Sequence, residues 1–381
     1  LLLIFLKGIL KANMYELPDF NQLNLQQTPL VHGFYTLGLI EKYCSDVLMV
    51  FMRLTRQDQW SGSDIDPHLL HTKITKGLDQ NKTVLVVPFD EHVMSDDYDF
   101  SSVLNDYEHD QVYFVTEMDA EQSLYWRFQK KLKCKILELP FILLNDALCY
   151  HTLRQTKTLA SAPDSHHNFL CMINRSEDSK YNLCKMLLDL DLSPYGLITY
   201  RDDSAPDFVK TNFVKNASGP LDPNNLPTKN RQEAGQVYDN NILVSGLVSN
   251  YFFLEQNYST PLIINPESTV GIFPNTEKSL WPALLGRMYL IYGHQRVMSW
   301  IQRFCSYGPE HFCDLSFDHV EGYNENDHLA RLETMLVKNT DLIKNAQVIY
   351  KEHKHKLDTN RTDIVKNMYN FFVQQLCGLH R

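Results

Sequence analysis

This 381-residue chain has few of the spacings that mark the common cofactor and metal enzymes. Its eight cysteines, Cys44, Cys134, Cys149, Cys171, Cys184, Cys305, Cys313 and Cys377, form no Cys-x-x-Cys pair, which argues against zinc clusters and thioredoxin-like motifs. They are too thinly spread for the disulfide framework of a small secreted domain, so most are expected to be buried thiols in a reducing compartment. No Gly-x-Gly-x-x-Gly, P-loop, Gly-x-Ser-x-Gly or His-Glu-x-x-His occurs, so dehydrogenases, P-loop NTPases, α/β-hydrolases and zincins lose their usual signals. Internal repeats and heptad arrays are absent, which removes solenoids and coiled coils. Basic side chains are outnumbered 36 to 46, and the net charge of −10 leaves no global basic field for a polyanion. Nucleic acid is therefore not an expected partner, and any phosphate must be gripped locally by a few side chains.

A hydrophobic share of 44% with 22% charged residues is the composition of a globular chain. At roughly 150 residues per domain the length predicts two domains. The opening run Leu1 to Leu6 is far shorter than the ~20 apolar residues of a membrane span. It reads either as an element end packed on the core or as the stub of a signal or membrane anchor. A cytoplasmic location is expected, with a membrane-associated or Golgi-type lumenal one as the alternative if that stub belongs to an anchor. Peripheral membrane association stays open on the same ground.

The organisation is alternating. Thr83 to Pro88 and Val112 to Val115 are short continuous apolar runs, suited to strands buried on both faces of a parallel sheet. Asp119 with Gln122 reads as a capping box, and Leu124, Phe128 and Leu132 line one face of the helix it opens. Lys135 to Leu139 completes a strand, helix, strand unit with an expected right-handed crossover. The small, polar stretch from Leu159 to His167 breaks periodicity and predicts a domain boundary. Strands then follow at Asn168 to Ile173, Leu197 to Tyr200, Leu262 to Asn265 and Met288 to Tyr292. Helices are predicted at about Lys180 to Leu190, after Thr276, and at Arg296 to Phe304. Asp202 to Asp239 reads as a long surface excursion. Three helical segments, Asp327 to Lys338, Asp341 to Lys356 and Asp363 to Leu376, close the chain. The expected division is an N-terminal α/β domain over 1–160, a C-terminal α/β domain over 165–356, and a last helix over 357–381 that crosses back to the first domain.

One segment carries a chemical signal. Pro266-Glu267-Ser268 ends a strand, and Asn275-Thr276-Glu277-Lys278 then opens a helix, placing a carboxylate and an ammonium beside free backbone N–H groups. A nucleotide diphosphate needs that pairing, lysine and amides for the phosphates and a carboxylate for ribose hydroxyls. A plain alternative exists, with Thr276 as an N-cap, Glu277 favourable to the helix dipole and Lys278 solvated.

The run Thr276-Glu277-Lys278-Ser279-Leu280-Trp281-Pro282-Ala283-Leu284-Leu285, followed by Tyr289-Leu290-Ile291-Tyr292-Gly293, resembles the donor-site signature of fucosyltransferase-like glycosyltransferases. The resemblance takes in Ile263-Ile264-Asn265-Pro266-Glu267-Ser268 and Phe169-Leu170-Cys171-Met172-Ile173-Asn174-Arg175. It covers roughly Asn168 to Lys356, and is nearest to uncharacterised bacterial and large-virus members. It implies a GT-B-like α/β fold, two Rossmann-like domains facing across a cleft with a helical C-terminus. It also implies Glu277 on the ribose, Lys278 on the diphosphate and Arg175 as a second cation, with Glu267 and Thr276 in the same site. Lys180 is a candidate third phosphate contact. The partners implied are a nucleotide-sugar donor, as substrate, and a glycan or glycoconjugate acceptor. Two cations and helix amides offset the leaving diphosphate's charge, so neither a metal nor any other cofactor is expected. The departures are Pro282 inside the helix, and Arg287-Met288-Tyr289 where that group has a small, proline-containing approach to the strand.

Transfer also needs a base for the acceptor hydroxyl. Ligands gather at the carboxyl ends of parallel strands, which makes Asp90, Glu91 and Glu117 the candidates, acting by in-line, inverting attack. Asp97-Tyr98-Asp99 matches the Asp-x-Asp metal pattern of another glycosyltransferase fold, but it does not directly follow an apolar strand and reads as a solvated loop. His353 with His355, His166 with His167, and His68 with His71 lack zinc-site context. The alternative from a different class is a non-catalytic nucleotide-sugar- or glycan-binding protein, or a scaffold of a glycan-assembly pathway.

Overall fold

The computed structural model describes residues 17–23, 35–52, 67–88, 101–107, 111–116, 132–141, 143–145, 147–148, 151, 167–173, 178–200, 260–267, 277–293, 295–320 and 325–379. The chain divides into two units, one of Leu1–Asn24, Phe34–Leu144 and Met368–Arg381, the other of Leu25–Gly33 and Asn145–Asn367. The expected boundary stretch lies, apart from His167, outside the described residues, as does the excursion after Asp202.

The first unit runs α1 (Tyr35–Tyr43), β1 (Val47–Met52), α2 (Pro67–Asp79), β2 (Thr83–Pro88), α3 (Ser101–Asn105), β3 (Val112–Thr116) and β4 (Lys135–Glu138). Its four strands pair in the order β1-β2-β3-β4, each pair parallel. Val84 to Val87 are at most 2% exposed, so β2 is covered on both faces, which is why its sequence is apolar throughout rather than alternating. Pro67 opens α2 with its φ already set for a helix. Leu70 and Ile74, one turn apart, are buried on α2, which packs on β1 and β2. Sequence reading overlooked α1, β1 and α2. The helix expected after Asp119 lies outside the described residues except for Leu132, which is buried. The last turns of the chain belong to this unit, where the Tyr369 hydroxyl donates to the Pro18 carbonyl at 2.6 Å and its ring meets Phe20.

The second unit runs β5 (Phe169–Ile173), α4 (Asp178–Asp189), β6 (Gly196–Tyr200), β7 (Leu262–Pro266), α5 (Glu277–Leu284), β8 (Met288–Tyr292), α6 (Val297–Gln302), α7 (Glu325–Lys338) and α8 (Thr340–Gly378), the last of which belongs to this unit as far as Asn367. Its sheet is also wholly parallel, in the order β6-β5-β7-β8. All residues of β7 and β8 are buried. The architecture is thus mixed α/β with two parallel sheets and a helical C-terminus.

Two corrections concern helices. The segments expected at 341–356 and 363–376 are one helix, interrupted only by a non-helical Asn345 (φ −120°, ψ 19°). The residues between them are helical because they are used in packing. Leu357 and Ile364 are buried, and the Asn360 Oδ1 accepts from the backbone N–H groups of Ser306 at 2.8 Å and Tyr307 at 3.1 Å. Tertiary contacts override the weak helix propensity of Thr and Asn. Helix α5 keeps Pro282 in its interior. Lacking an N–H, Pro282 cannot bond the carbonyl of Lys278 four residues back, a loss worth about 3 kcal/mol in a helix interior. The chain leaves α5 through Gly286, whose left-handed φ of 64° suits glycine.

None of the seven described cysteines is in a disulfide, and Cys44, Cys134, Cys171 and Cys184 are buried, as expected of core residues. Among the described residues no helix is long and apolar enough to cross a membrane.

Candidate functional site

The order β6-β5-β7-β8 contains a reversal. Strand β6 lies on one side of β5, and β7 and β8 lie on its other side. The connections leaving β5 and β7 therefore depart in opposite senses, and the carboxyl ends of that strand pair form a topological switch point, where open α/β sheets hold their ligands.

Glu267 directly follows β7. Its N–H donates to the Tyr292 carbonyl at 2.8 Å, extending the β7–β8 ladder by one bond. Its side chain is only 3% exposed, and its carboxylate accepts from the hydroxyl of Ser279, a fully buried residue in the first turn of α5. A buried carboxylate is costly unless hydrogen-bonded. Here the bond also ties the start of α5 to the end of β7.

The period of two along β7 puts Asn265 on the same face as Glu267, opposite Ile291 in the β8 register. Asn265 is 8% exposed, and its Nδ2 has no hydrogen-bond partner among the described residues. Leaving a buried donor unmade costs about 1–3 kcal/mol, so such a group calls for an explanation.

Gly293 follows β8. A Cβ there would lie 3.0 Å from Glu267 Cγ, so any other residue would press on the Glu267 side chain, which would have to give by a few tenths of an ångström. The Gly293 carbonyl accepts from the guanidinium of Arg331 on α7, a residue 3% exposed whose Nη2 is also 3.3 Å from His328 Nδ1. The Tyr292 hydroxyl donates to the His328 carbonyl at 3.2 Å. Burial pushes that hydroxyl's pKa up to about 12 against the opposing charge of Arg331, so it stays a neutral donor. In the turn after β8, Arg296 takes a left-handed φ of 66°, which is uncommon for a residue other than glycine.

On the other side of the switch point, Lys180 sits in the first turn of α4 and is 2% exposed. The thiol of Cys171 on β5 is pushed well up by burial, with Cys184 adding to the shift and the Lys180 charge opposing it. The lysine charge thus lies close to the strand, not in solvent.

Of the residues singled out from sequence, Glu267 and Lys180 are buried at the carboxyl end of this sheet, on the segments following β7 and β5 respectively. Glu277 and Lys278 are the first two residues of α5, so their backbone N–H groups are among those with no partner within the helix. Thr276, Arg175, Asp90, Glu91 and Glu117 lie outside the described residues, as do Asp97 and Asp99. Sequence reading assigned no role to Asn265, Gly293 or Arg331. The glycine and the asparagine stood inside the quoted motifs, but nothing in the spacing announced that an arginine 38 residues further on would reach Gly293. Among the described residues no group of three or more His, Cys, Asp and Glu could hold a metal ion.

No protein-family model, curated protein or solved structure matches the chain.

Proposed function

We propose that the second unit binds the diphosphate of a nucleotide-sugar donor at the carboxyl ends of β5 and β7, and that the chain is a glycosyltransferase acting on a hydroxyl of a glycan acceptor. The observation that carries this reading is the switch point itself, flanked by a buried lysine and a buried, braced carboxylate. Burying charge is costly, and buried charges in a cleft at strand ends mark candidate sites. The likeness of the 263–293 segment to fucosyltransferase-like enzymes supports the same assignment. It extends the reading to a GT-B-like arrangement in which the two α/β units face one another across a cleft.

In this reading the amides at the start of α5, the Lys278 ammonium and the Arg175 guanidinium receive the diphosphate, and the Glu277 carboxylate accepts from the ribose hydroxyls. Glu267 acts from behind, holding the first turn of α5 through Ser279. The bond between the anomeric carbon and the diphosphate oxygen breaks with its electron pair leaving on the diphosphate. The acceptor oxygen forms the new bond from the opposite face, inverting the centre, and gives its proton to a carboxylate, for which Asp90, Glu91 and Glu117 are the candidates. Fixed cations and amides stabilise the departing charge better than water, because they need no reorganisation as it develops. The chain's own cations supply this role, so the reading calls for no metal.

The test is thermal-shift screening of the full chain against UDP, GDP, CMP and their sugars, followed by turnover assays on any nucleotide sugar that binds. At least one nucleoside diphosphate raises the melting temperature, and Lys278→Ala abolishes that rise with the fold intact. An unchanged rise in that variant contradicts the site. Asp90→Ala, Glu91→Ala or Glu117→Ala removes turnover while donor affinity is kept. Binding without any hydrolysis or transfer across the panel assigns the chain to the non-catalytic, donor-binding class instead.

A further inference from the structure

The long helix α8 carries a concentration of positive charge that the chain's overall −10 does not predict. An open depression of about 550 Å³ is lined by Lys351, Lys354, His355, Asp358 and Thr359. These positions are spaced by three and four residues and share one helical face, all of them exposed. Among the described residues neither Lys351 nor Lys354 has an ion-pair partner. The one acid in the lining does not neutralise them, because Asp358 is already drawn to Arg361, whose Nη2 lies 2.5 Å from its Oδ1. The neighbouring Lys356 is turned to another use, its ammonium lying 4.9 Å from the centre of the Tyr307 ring.

The depression is remote from the site proposed above. Helix α8 meets the opposite, amino end of β8, where Tyr350 donates to the Gly286 carbonyl at 3.1 Å and Arg361 packs against Gly286. Across a five-residue strand the two ends are separated by roughly 15 Å.

We infer that this face of α8 is a second binding site, for a sugar carrying a phosphate or sulfate group. Two unpaired lysines offer charge-assisted hydrogen bonds to an oxyanion. The Asp358 carboxylate, one oxygen of which meets Arg361, and the Thr359 hydroxyl oxygen, whose proton goes to the His355 carbonyl at 3.1 Å, supply acceptors for sugar hydroxyls. A volume of about 550 Å³ is within the range of small-ligand sites and far larger than a bare phosphate needs. The inference does not rest on the glycosyltransferase reading, since it concerns other residues at the other end of the sheet.

The experiment is calorimetric titration of the full chain at low salt with glucose 6-phosphate, glucose 6-sulfate, unmodified glucose and inorganic phosphate, with vesicle co-sedimentation on phosphatidylcholine containing phosphatidylserine as a parallel arm. Glucose 6-phosphate and glucose 6-sulfate bind more tightly than inorganic phosphate, glucose does not bind measurably, and added salt weakens the interaction. The double variant Lys351→Ala/Lys354→Ala weakens binding about tenfold or more with its melting temperature essentially unchanged. Lys185→Ala, which removes an exposed lysine paired with Asp189 at 3.8 Å on α4, leaves binding as it was. Absence of binding by both charged sugars, equal binding of plain glucose, or full binding by the double variant overturns the inference. Sedimentation with the anionic vesicles without binding of the charged sugars overturns it too, and makes the patch a membrane contact instead.

Discussion

The two sheets are built from the same grammar of parallel strands and crossover connections, yet they wind differently. In β1-β2-β3-β4 every step goes the same way, so each connection leaves its strand in the same sense as the last. In β6-β5-β7-β8 the direction reverses once, and the strand ends part at that reversal. Buried charge is unevenly divided between the two units. Among the described residues the second unit buries four, Lys180, Glu267, Asp318 and Arg331, of which the first two lie on the segments after β5 and β7, whereas in the first unit the carboxylate of Glu138, at the end of edge strand β4, is buried. A reversal of strand order parts the connections at the strand ends and leaves a crevice there, the general ligand position in open α/β sheets.

That contrast can be broken by substitution, and the largest effect is expected at the reversal itself. Leu170 on the central strand β5 is fully buried, and Leu170→Ala should cost about 3–5 kcal/mol, read from urea unfolding. Leu137→Ala, on the edge strand β4 of the first sheet, should cost less, near the lower end of about 2–5 kcal/mol. Equal costs would contradict the placement of β5 at the centre of its sheet.

Next come the glycines. Gly293→Ala forces a Cβ to within 3.0 Å of Glu267 Cγ and should destabilise by about 1–3 kcal/mol. It should also weaken nucleotide binding by moving the braced carboxylate. In the first unit, Gly38 lies in α1 with nothing within 4 Å of its Cβ direction, so Gly38→Ala should instead stabilise by about 0.5–1 kcal/mol through helix propensity. Ser279→Ala removes the hydroxyl that satisfies Glu267 and should cost about 1–3 kcal/mol. Loss of nucleotide affinity in Ser279→Ala with Ser279→Thr restoring it would identify the hydroxyl as a positioning group rather than a packing one.

The smallest effect is a pH dependence away from both sheets. Tyr307 stacks on His311 with ring centres 4.2 Å apart, and its hydroxyl pairs with His353 Nδ1. Partial burial holds His353 below its ordinary value of 6.5, with Lys356 and His311 acting in the same direction and Glu352 against them. The unfolded chain therefore takes up the proton first as pH falls. The group's contribution to stability is complete above about 6.5 and is lost as pH drops through the folded value. Melting curves between pH 7 and 5 should show a decline that His353→Gln makes shallower, by no more than about 1–2 °C given the exposure of the ring.

Much of this architecture was legible in the sequence because both sheets are parallel and interior. Continuous runs such as Thr83 to Pro88 and Met288 to Tyr292 have no amphipathic rival reading when glycine, proline or asparagine bounds them. Strand β1, Val47 to Met52, is equally apolar and was overlooked, although the same criterion marks it. The single helix α8 was divided in two because Thr359, Asn360, Arg361 and Thr362 look like a break by propensity, whereas Asn360 and Leu357 are held by tertiary contacts that no local pattern encodes. At the site, the acid after β7 was identifiable from strand-end position. Its partner Ser279 was not, since the intervening residues carry no periodicity to show how α5 returns to the strand. Neither the burial of Lys180 nor the reach of Arg331 could be read locally, because both depend on which helix covers which strand.

The most direct test of the central claim is hydrogen–deuterium exchange on the full chain with and without UDP or GDP, whichever raises the melting temperature. The switch-point account predicts slowed exchange confined to peptides containing Glu267, the first turn of α5 and the start of α4. Protection confined to peptides of the first sheet, or none in those three segments under saturating nucleotide, would contradict it.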